Sequence, residues 1–352
     1  MSRYIRPRLA EVNAYIPGEQ PQERKYIKLN TNESPYAPLS NAEEAVLAEV
    51  SKLRLYSDPS CTLLKKALAE RYGVKPEQIS VGNGSDEVLN FAFMAYTDKE
   101  TPVVYPEISY GFYSVLADLY GVPRCEIPVR DDMTIDPEDY ADKPGMIIIA
   151  NPNAPTGLLL DTGAIRRILD LHREGIVLVD EAYIDFGGIS VLPLLSEYDN
   201  LLIVRTFSKS RSLAGARLGF AIGSPEVIAD LEKIRCSTNP YNINRMTVAA
   251  ALAVLAKDDV YMENCRKIMN TRERVAESLQ QIGCTVIPSM TNFLFVKAPG
   301  RDGKAWYEAM HEQGILVRYF GAGKTSDYIR VSIGSDEEMD CFLKATEEWI
   351  GG

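Results

Sequence analysis

The stretch Leu201–Gly223, LLIVRTFSKSRSLAGARLGFAIG, holds the residues best suited to chemistry. Leu201 to Val204 is the short apolar run of a buried parallel strand, and the polar turn Thr206-Phe207-Ser208-Lys209-Ser210 follows it. A lysine at the carboxyl end of a buried strand is poorly placed for a solvated charge. It is well placed as a nucleophilic amine, because burial and neighbouring cations lower its pKa and free its lone pair. Past a run of small residues, Ala214-Gly215-Ala216, comes Arg217. Ser208 and Arg217 together could hold a phosphate, the arginine bidentately. Taken alone, a Ser-Lys turn is usually only a solvated surface loop, so the weight falls on what accompanies it.

Two further clusters do. Gly82-Asn83-Gly84-Ser85-Asp86 stands between an apolar run and a helical one, where free backbone N–H groups at a helix N-terminus suit one phosphate. A dinucleotide fingerprint would need a third glycine, and Glu87 occupies that slot. Asp180 ends the apolar run Ile176–Val179. A carboxylate there costs several kcal/mol unless paired, and either local backbone or a protonated ring nitrogen would satisfy it. Opposite charges about 4 Å apart at an effective dielectric of about 20 gain roughly 4 kcal/mol, worth roughly 3 pKa units. That is enough to keep a pyridine protonated at neutral pH. A lysine nucleophile, a buried aspartate, a phosphate cradle and nearby tyrosines are what pyridoxal 5′-phosphate requires of a protein.

The elements that must position these groups follow one grammar. From Ile79 to Val204 apolar strands alternate with helices, each conspicuous polar cluster standing at a strand's carboxyl end. This predicts an α/β protein, a large domain with a mostly parallel sheet flanked by helices, whose ligands bind beyond the strand ends. Residues 1–40, broken by Pro7, Pro17, Pro21, Pro35 and Pro38, read as an irregular arm joining a smaller C-terminal domain. The large domain spans 41–256. Beyond Lys257 a long charged helix, three short strands and a last helix opened by the capping box Ser335–Glu338 read as an α+β domain, 257–352.

Composition narrows the function. A net charge of −11 with no basic run argues against nucleic acid as a partner. The opening MSRYIRPRLAEV lacks the apolar core of a secretion signal, no apolar stretch is long enough to span a membrane, and six scattered cysteines suit a reducing cytoplasm. The two histidines, His172 and His311, sit in charged helical contexts, which argues against a histidine metal site or a Ser-His-Asp hydrolase.

The chain resembles the fold-type I pyridoxal-phosphate aminotransferases, and among them the histidinol-phosphate aminotransferases, over essentially its whole length. The pieces that carry the likeness are LNTNESPYAP, LYSDP, GNGSDE, PEISYGFY, NPNAPTG, VDEAYIDF, RTFSKSRSLAGARLGF, ILVRYF and YIRVSIG. The resemblance implies that Lys209 bonds the cofactor aldehyde and acts as acid–base, that Asp180 faces the ring nitrogen and that Tyr183 donates to the phenolic oxygen. It makes Tyr110 the aromatic stacked on the ring, and Ser85, Asp86, Ser208 and Arg217 the phosphate contacts. Tyr56 would reach the phosphate from the other subunit of a homodimer with shared sites. Arg330 would clamp a substrate carboxylate or phosphate, with Arg318, Tyr15 and Asn32 as further substrate contacts. One position departs from the pattern: Ala154 stands where the family has an asparagine before Pro-Thr-Gly, so either Asn153 supplies an amide or Tyr183 acts alone. The implied reaction is ping-pong transamination between histidinol phosphate and 2-oxoglutarate, giving imidazole-acetol phosphate and glutamate. An aromatic amino acid aminotransferase, an amino-acid phosphate decarboxylase and a non-enzymatic cofactor-binding regulator are the rival readings.

Overall fold

The computed structural model describes residues 2–352. Its first strand, β1 (Ile27–Lys28), is followed by seven that form the central sheet. These are β2 (Ile79–Gly82), β3 (Val103–Pro106), β4 (Arg124–Ile127), β5 (Met146–Ala150), β6 (Val177–Asp180), β7 (Leu201–Thr206) and β8 (Gly219–Gly223). They lie in the order β2-β8-β7-β6-β5-β3-β4. All pairings from β7 to β4 are parallel, whereas β8 is antiparallel to both β7 and β2. The sequence reading did not find β4 or β8. The run GFAIG of β8 has a glycine at either end, which reads locally as turn, and only pairing on both sides makes it a strand.

Both faces of the sheet are covered. On one, Ile147, Ile149, Val177, Val179 and Ile203 meet the helices Thr62–Tyr72, Thr162–Leu171 and Arg245–Leu255. On the other, Met146, Ile148, Leu178, Leu202 and Val204 meet Ser85–Tyr96, Phe112–Tyr120 and Pro225–Thr238. Successive residues of a strand point to opposite faces, so a strand buried on both must be apolar throughout, as β5 and β7 largely are.

The C-terminal part adds β9 (Thr285–Ile287), β10 (Phe293–Lys297), β11 (Ile315–Leu316), β12 (Arg318–Tyr319) and β13 (Tyr328–Ser332). An antiparallel sheet, β12-β13-β10-β9, packs with the long helix Asp258–Gln281 around a second core that includes Trp306, Phe342 and Leu294. The last helix, Asp336–Gly351, opens with the reciprocal Ser335–Glu338 box. β1 pairs in parallel with β11, Ile27 opposite Ile315, and so draws the N-terminal segment onto this second core.

Candidate active site

Because β2 runs parallel to β7, the carboxyl ends of β2, β5, β6 and β7 share one rim of the sheet. Lys209 stands there, one turn beyond β7. Its Nζ donates to the Thr31 carbonyl at 3.1 Å and lies 5.8 Å from the centre of the Tyr183 ring. Burial, and then the positive charge of Arg330, bring its pKa down to about 8, while Glu33 and Asp86 oppose the shift. Near pH 8 half of the free amine is therefore neutral and nucleophilic.

Asp180 closes β6, buried, with two bonds of its own: Tyr113 donates its hydroxyl at 2.9 Å and Ala182 its N–H at 3.2 Å. Burial still raises its pKa to about 6 against both bonds. A group so placed gains from a cation, which a protonated ring nitrogen supplies. Tyr113, fully buried, was not singled out from the sequence, since its neighbour Tyr110 carries the recognisable motif.

The phosphate cradle lies at the N-terminus of Ser85–Tyr96. Gly84 is its N-cap and no side chain caps the first turn, so the leading N–H groups of Ser85 and Asp86 are left for a ligand. Gly84 adopts φ 80°, and a Cβ there would strike the Arg217 guanidinium; one at Gly219 would strike the Ser85 amide nitrogen. The cradle thus depends on two glycines that let backbone and guanidinium close up. Arg217 itself takes a left-handed φ of 53°, a strained conformation that its surroundings must impose. Its Nη2 pairs with Asp86 at 2.9 Å, and Asp86 also accepts from the Tyr110 hydroxyl at 3.1 Å. The Asp86 carboxylate is turned to these two partners. Ser208 is buried and accepts from Thr206 Oγ1 at 3.0 Å, which leaves its own O–H to donate.

Asn153 is not free to serve the site. Its amide donates to Ile108 O at 3.1 Å and Thr156 Oγ1 at 2.8 Å, and its oxygen accepts from Ser109 at 3.3 Å. These bonds hold the loop after β5, and Ala154 is buried with no side-chain donor to offer. Of the two alternatives left by the sequence, the geometry therefore favours Tyr183 alone. The Tyr183 hydroxyl accepts from Asn32 Nδ2 at 2.9 Å, so Asn32 faces Tyr183 where a substrate contact was expected.

Arg330 is sandwiched between Phe293 and Phe320, its guanidinium 5.2 and 5.4 Å from the ring centres. One nitrogen donates to Asn30 O at 3.0 Å, while Nε is buried with no partner. Arg318 donates only to the carbonyls of Ile16 and Pro17, at 2.8 and 3.1 Å. Neither arginine has a carboxylate partner among the described residues. Tyr15 packs edge-on against Tyr110 and lies within the fields of both arginines. Tyr56 is apart from all of these: it is 79% exposed and stacked on Tyr241 with centroids 4.5 Å apart.

Behind the lysine turn runs an ion network that the sequence reading missed. Glu181 pairs with Arg205 at 2.6 Å; Arg211 reaches Asp185 at 3.1 Å and Asp258 at 2.8 Å; Ser210 donates to Asp185 at 2.6 Å. The signal was an arginine inside the apolar strand LLIVRT. Arg211 Nη2 is buried without a partner of its own, but the paired groups hold one another in place, and the network braces the residues on either side of Lys209.

These residues fit pyridoxal 5′-phosphate: open helix amides with Ser208 and Arg217 for the phosphate, Asp180 for the ring nitrogen, Tyr183 for the phenolic oxygen and Lys209 for the aldehyde.

Comparison with known proteins agrees. The family model of the class I and II aminotransferases matches residues 24–345, and the chain belongs to that family. Within it the chain is similar to histidinol-phosphate aminotransferases. That of Chromohalobacter salexigens is 48% identical over 350 residues, spanning 99% of both chains, and that of Clostridium acetobutylicum is 45% identical over 353 residues, spanning 99% of this chain and all of the other. Among solved structures, histidinol-phosphate aminotransferase from Sinorhizobium meliloti, in complex with pyridoxal-5′-phosphate, superposes with a TM-score of 0.89 at 28% identity, covering 100% of this chain and 98% of that one. The α/β architecture is that of the fold-type I enzymes, and the chain is an aminotransferase.

Proposed function

We propose that this chain transfers the amino group of histidinol phosphate to 2-oxoglutarate with pyridoxal 5′-phosphate as cofactor, yielding imidazole-acetol phosphate and glutamate, as a step of histidine biosynthesis. The observation that carries the substrate reading is Arg330, a half-buried guanidinium whose buried Nε has no partner, beside Lys209 and Tyr183, supported by Arg318, which likewise lacks an acidic partner among the described residues. Two such cations at one mouth suit a substrate with an anion at its end.

When bound, the cofactor supplies a carbonyl for the substrate amine and a protonated ring that stabilises negative charge at the α-carbon. The chain's own residues do the rest. Lys209 takes the proton from the α-carbon as a general base and returns it as an acid. Asp180 holds the ring proton by opposite charge. Tyr183 donates to the phenolic oxygen, and Arg330 with Arg318 orients the substrate by its anion.

A panel of amino donors tests this. Arg330→Ala is expected to lower kcat/KM about 10- to 200-fold for both histidinol phosphate and glutamate, the range for losing a charge-assisted hydrogen bond. Arg318→Ala is expected to affect histidinol phosphate more than glutamate. Equal losses on both substrates in both variants would remove the division of labour, and faster turnover of phenylalanine or tyrosine by the parent protein would remove histidinol phosphate as the substrate.

We further propose a homodimer with shared sites, divided within each chain into an arm (1–40), a large domain (41–256) and a small one (257–352). Tyr56 is exposed, as are Leu47, Val50, Leu53, Leu55 and Leu63 within the same stretch of chain, a concentration of exposed apolar side chains of the kind that oligomers cover. Mixing inactive Lys209→Ala with Tyr56→Ala under subunit exchange tests it at limiting cofactor. In each hybrid one site carries both defects and the other carries neither, so activity should return on mixing. Exchange verified by mass without recovery would show that Tyr56 does not serve a neighbour's site. The cytoplasm is the proposed location: among the described residues no helix is long and apolar enough to cross a membrane, and all six cysteines are unpaired.

A further inference from the structure

Asn32 has no role in the chemistry above, yet it is among the most constrained residues of the chain. It is 2% exposed and adopts a left-handed φ of 56°. Its N–H donates to Ser332 Oγ at 2.8 Å, its side-chain oxygen accepts from the same hydroxyl at 3.0 Å, and its carbonyl accepts from Asn292 Nδ2 at 3.0 Å. Ser332 ends β13 and Asn292 directly precedes β10, so the second sheet clamps this one residue of the N-terminal segment. The clamp leaves a single group free to act, the side-chain N–H, and that donates to Tyr183 at 2.9 Å.

Of Tyr110, Tyr113 and Tyr183, only Tyr183 has its phenolic proton uncommitted. Tyr110 donates to Asp86 and Tyr113 to Asp180. Asn153 spends its amide on Ile108 and Thr156, and Ala154 has none. With its oxygen accepting from Asn32, the Tyr183 hydroxyl keeps its proton free to donate onward. Chained hydrogen bonds strengthen one another. The charges around Tyr183 are Arg330, Asp180, Asp86 and Lys209, and none of them bonds its hydroxyl in place of Asn32.

We propose that Asn32 is a positioning residue that acts through Tyr183, aiming and polarising its hydroxyl at the phenolic oxygen of bound pyridoxal phosphate in a site where no side-chain amide does so directly. This rests on the cofactor reading above. The consequence is electrostatic. Negative charge on the phenolic oxygen is least compensated once the neighbouring lysine–cofactor nitrogen has lost its proton, so a stronger Tyr183 donor lowers the pH at which that proton leaves.

The pH midpoint of the holoenzyme's visible absorbance reads this directly, without turnover. Asn32→Gly removes the amide while keeping a residue that accepts φ 56°. It is expected to raise the midpoint by about half a pH unit, the size expected of one attenuated hydrogen bond. Asn32→Asp keeps the Ser332 bond but turns a donor into an acceptor that draws the Tyr183 proton away, and should raise the midpoint further. Tyr183→Phe alone should raise it at least as far as Asn32→Gly, and adding Asn32→Gly to Tyr183→Phe should then change nothing, because the coupling runs through the hydroxyl. An unchanged midpoint in Asn32→Gly and Asn32→Asp, or the same shift with and without the Tyr183 hydroxyl, overturns the proposal. If the unsubstituted protein binds no pyridoxal phosphate, the cofactor reading falls and takes this inference with it; a normal cofactor band with an unmoved midpoint sinks only the role of Asn32.

Discussion

Lys209→Ala is expected to abolish transamination, with kcat lower by about 10⁴-fold or more, since both the bond to the cofactor aldehyde and the acid–base group are removed together. The protein should also lose the visible absorbance that marks a lysine-bound cofactor, while pyridoxal phosphate remains held by the open amides of Ser85 and Asp86, Ser208 and Arg217. The free lysine has its pKa lowered to about 8. Its neutral form therefore grows as pH rises through about 8, so the rate at which apoprotein captures pyridoxal phosphate should climb across that range. Lys209→Ala should capture cofactor, if weakly, with no such climb. Stopped-flow absorbance from pH 6 to 10 separates the two. A variant that retains the band and normal turnover would show that another amine does this work.

Asp180→Asn is expected to keep the cofactor and lose about 10²- to 10³-fold in the single-turnover rate, the range for removing a preorganised electrostatic partner. Burial holds the empty carboxyl at about 6, so it is mainly ionised at neutral pH and gains when a ring N–H⁺ arrives. Asparagine fills the same space and can still accept the Tyr113 hydroxyl bond, but brings no charge. The ring nitrogen should then lose its proton at neutral pH and withdraw electrons poorly. Retention of cofactor through dialysis with slow chemistry is the expected pair of results. Unchanged single-turnover kinetics would remove Asp180 from the electronic role.

The residues of the site differ in how plainly the sequence marks them. Lys209 and Asp180 stand at the ends of apolar runs, and a charged residue there is anomalous without any knowledge of folding. The same holds for Gly82–Asp86, where the switch from strand to helix is written in adjacent residues. Tyr56 could be singled out only by resemblance: it is exposed and stacked on Tyr241, with no bond to the groups at the rim.

The sequence by itself determined the class of architecture and the rim on which the chemistry sits, because strand and helix periodicities and the turns between them are local properties of the chain. It could not say which groups are already spent. That Asn153 is committed to its own loop, that Arg330 has no acid among the described residues to neutralise it, and that Tyr113 and Asn32 stand behind Asp180 and Tyr183 are facts of long-range pairing. Asn32 reaches its site only because β1 lies on β11 and the segment beyond it bonds to Ser332 and Asn292. Arg205 and Arg211 could be tolerated in the interior only once Glu181, Asp185 and Asp258 had come beside them, since an uncompensated buried charge costs several kcal/mol. Hydrogen-bond and ion-pair partners distant in the chain leave no periodic signature along it, and tertiary structure alone decides them.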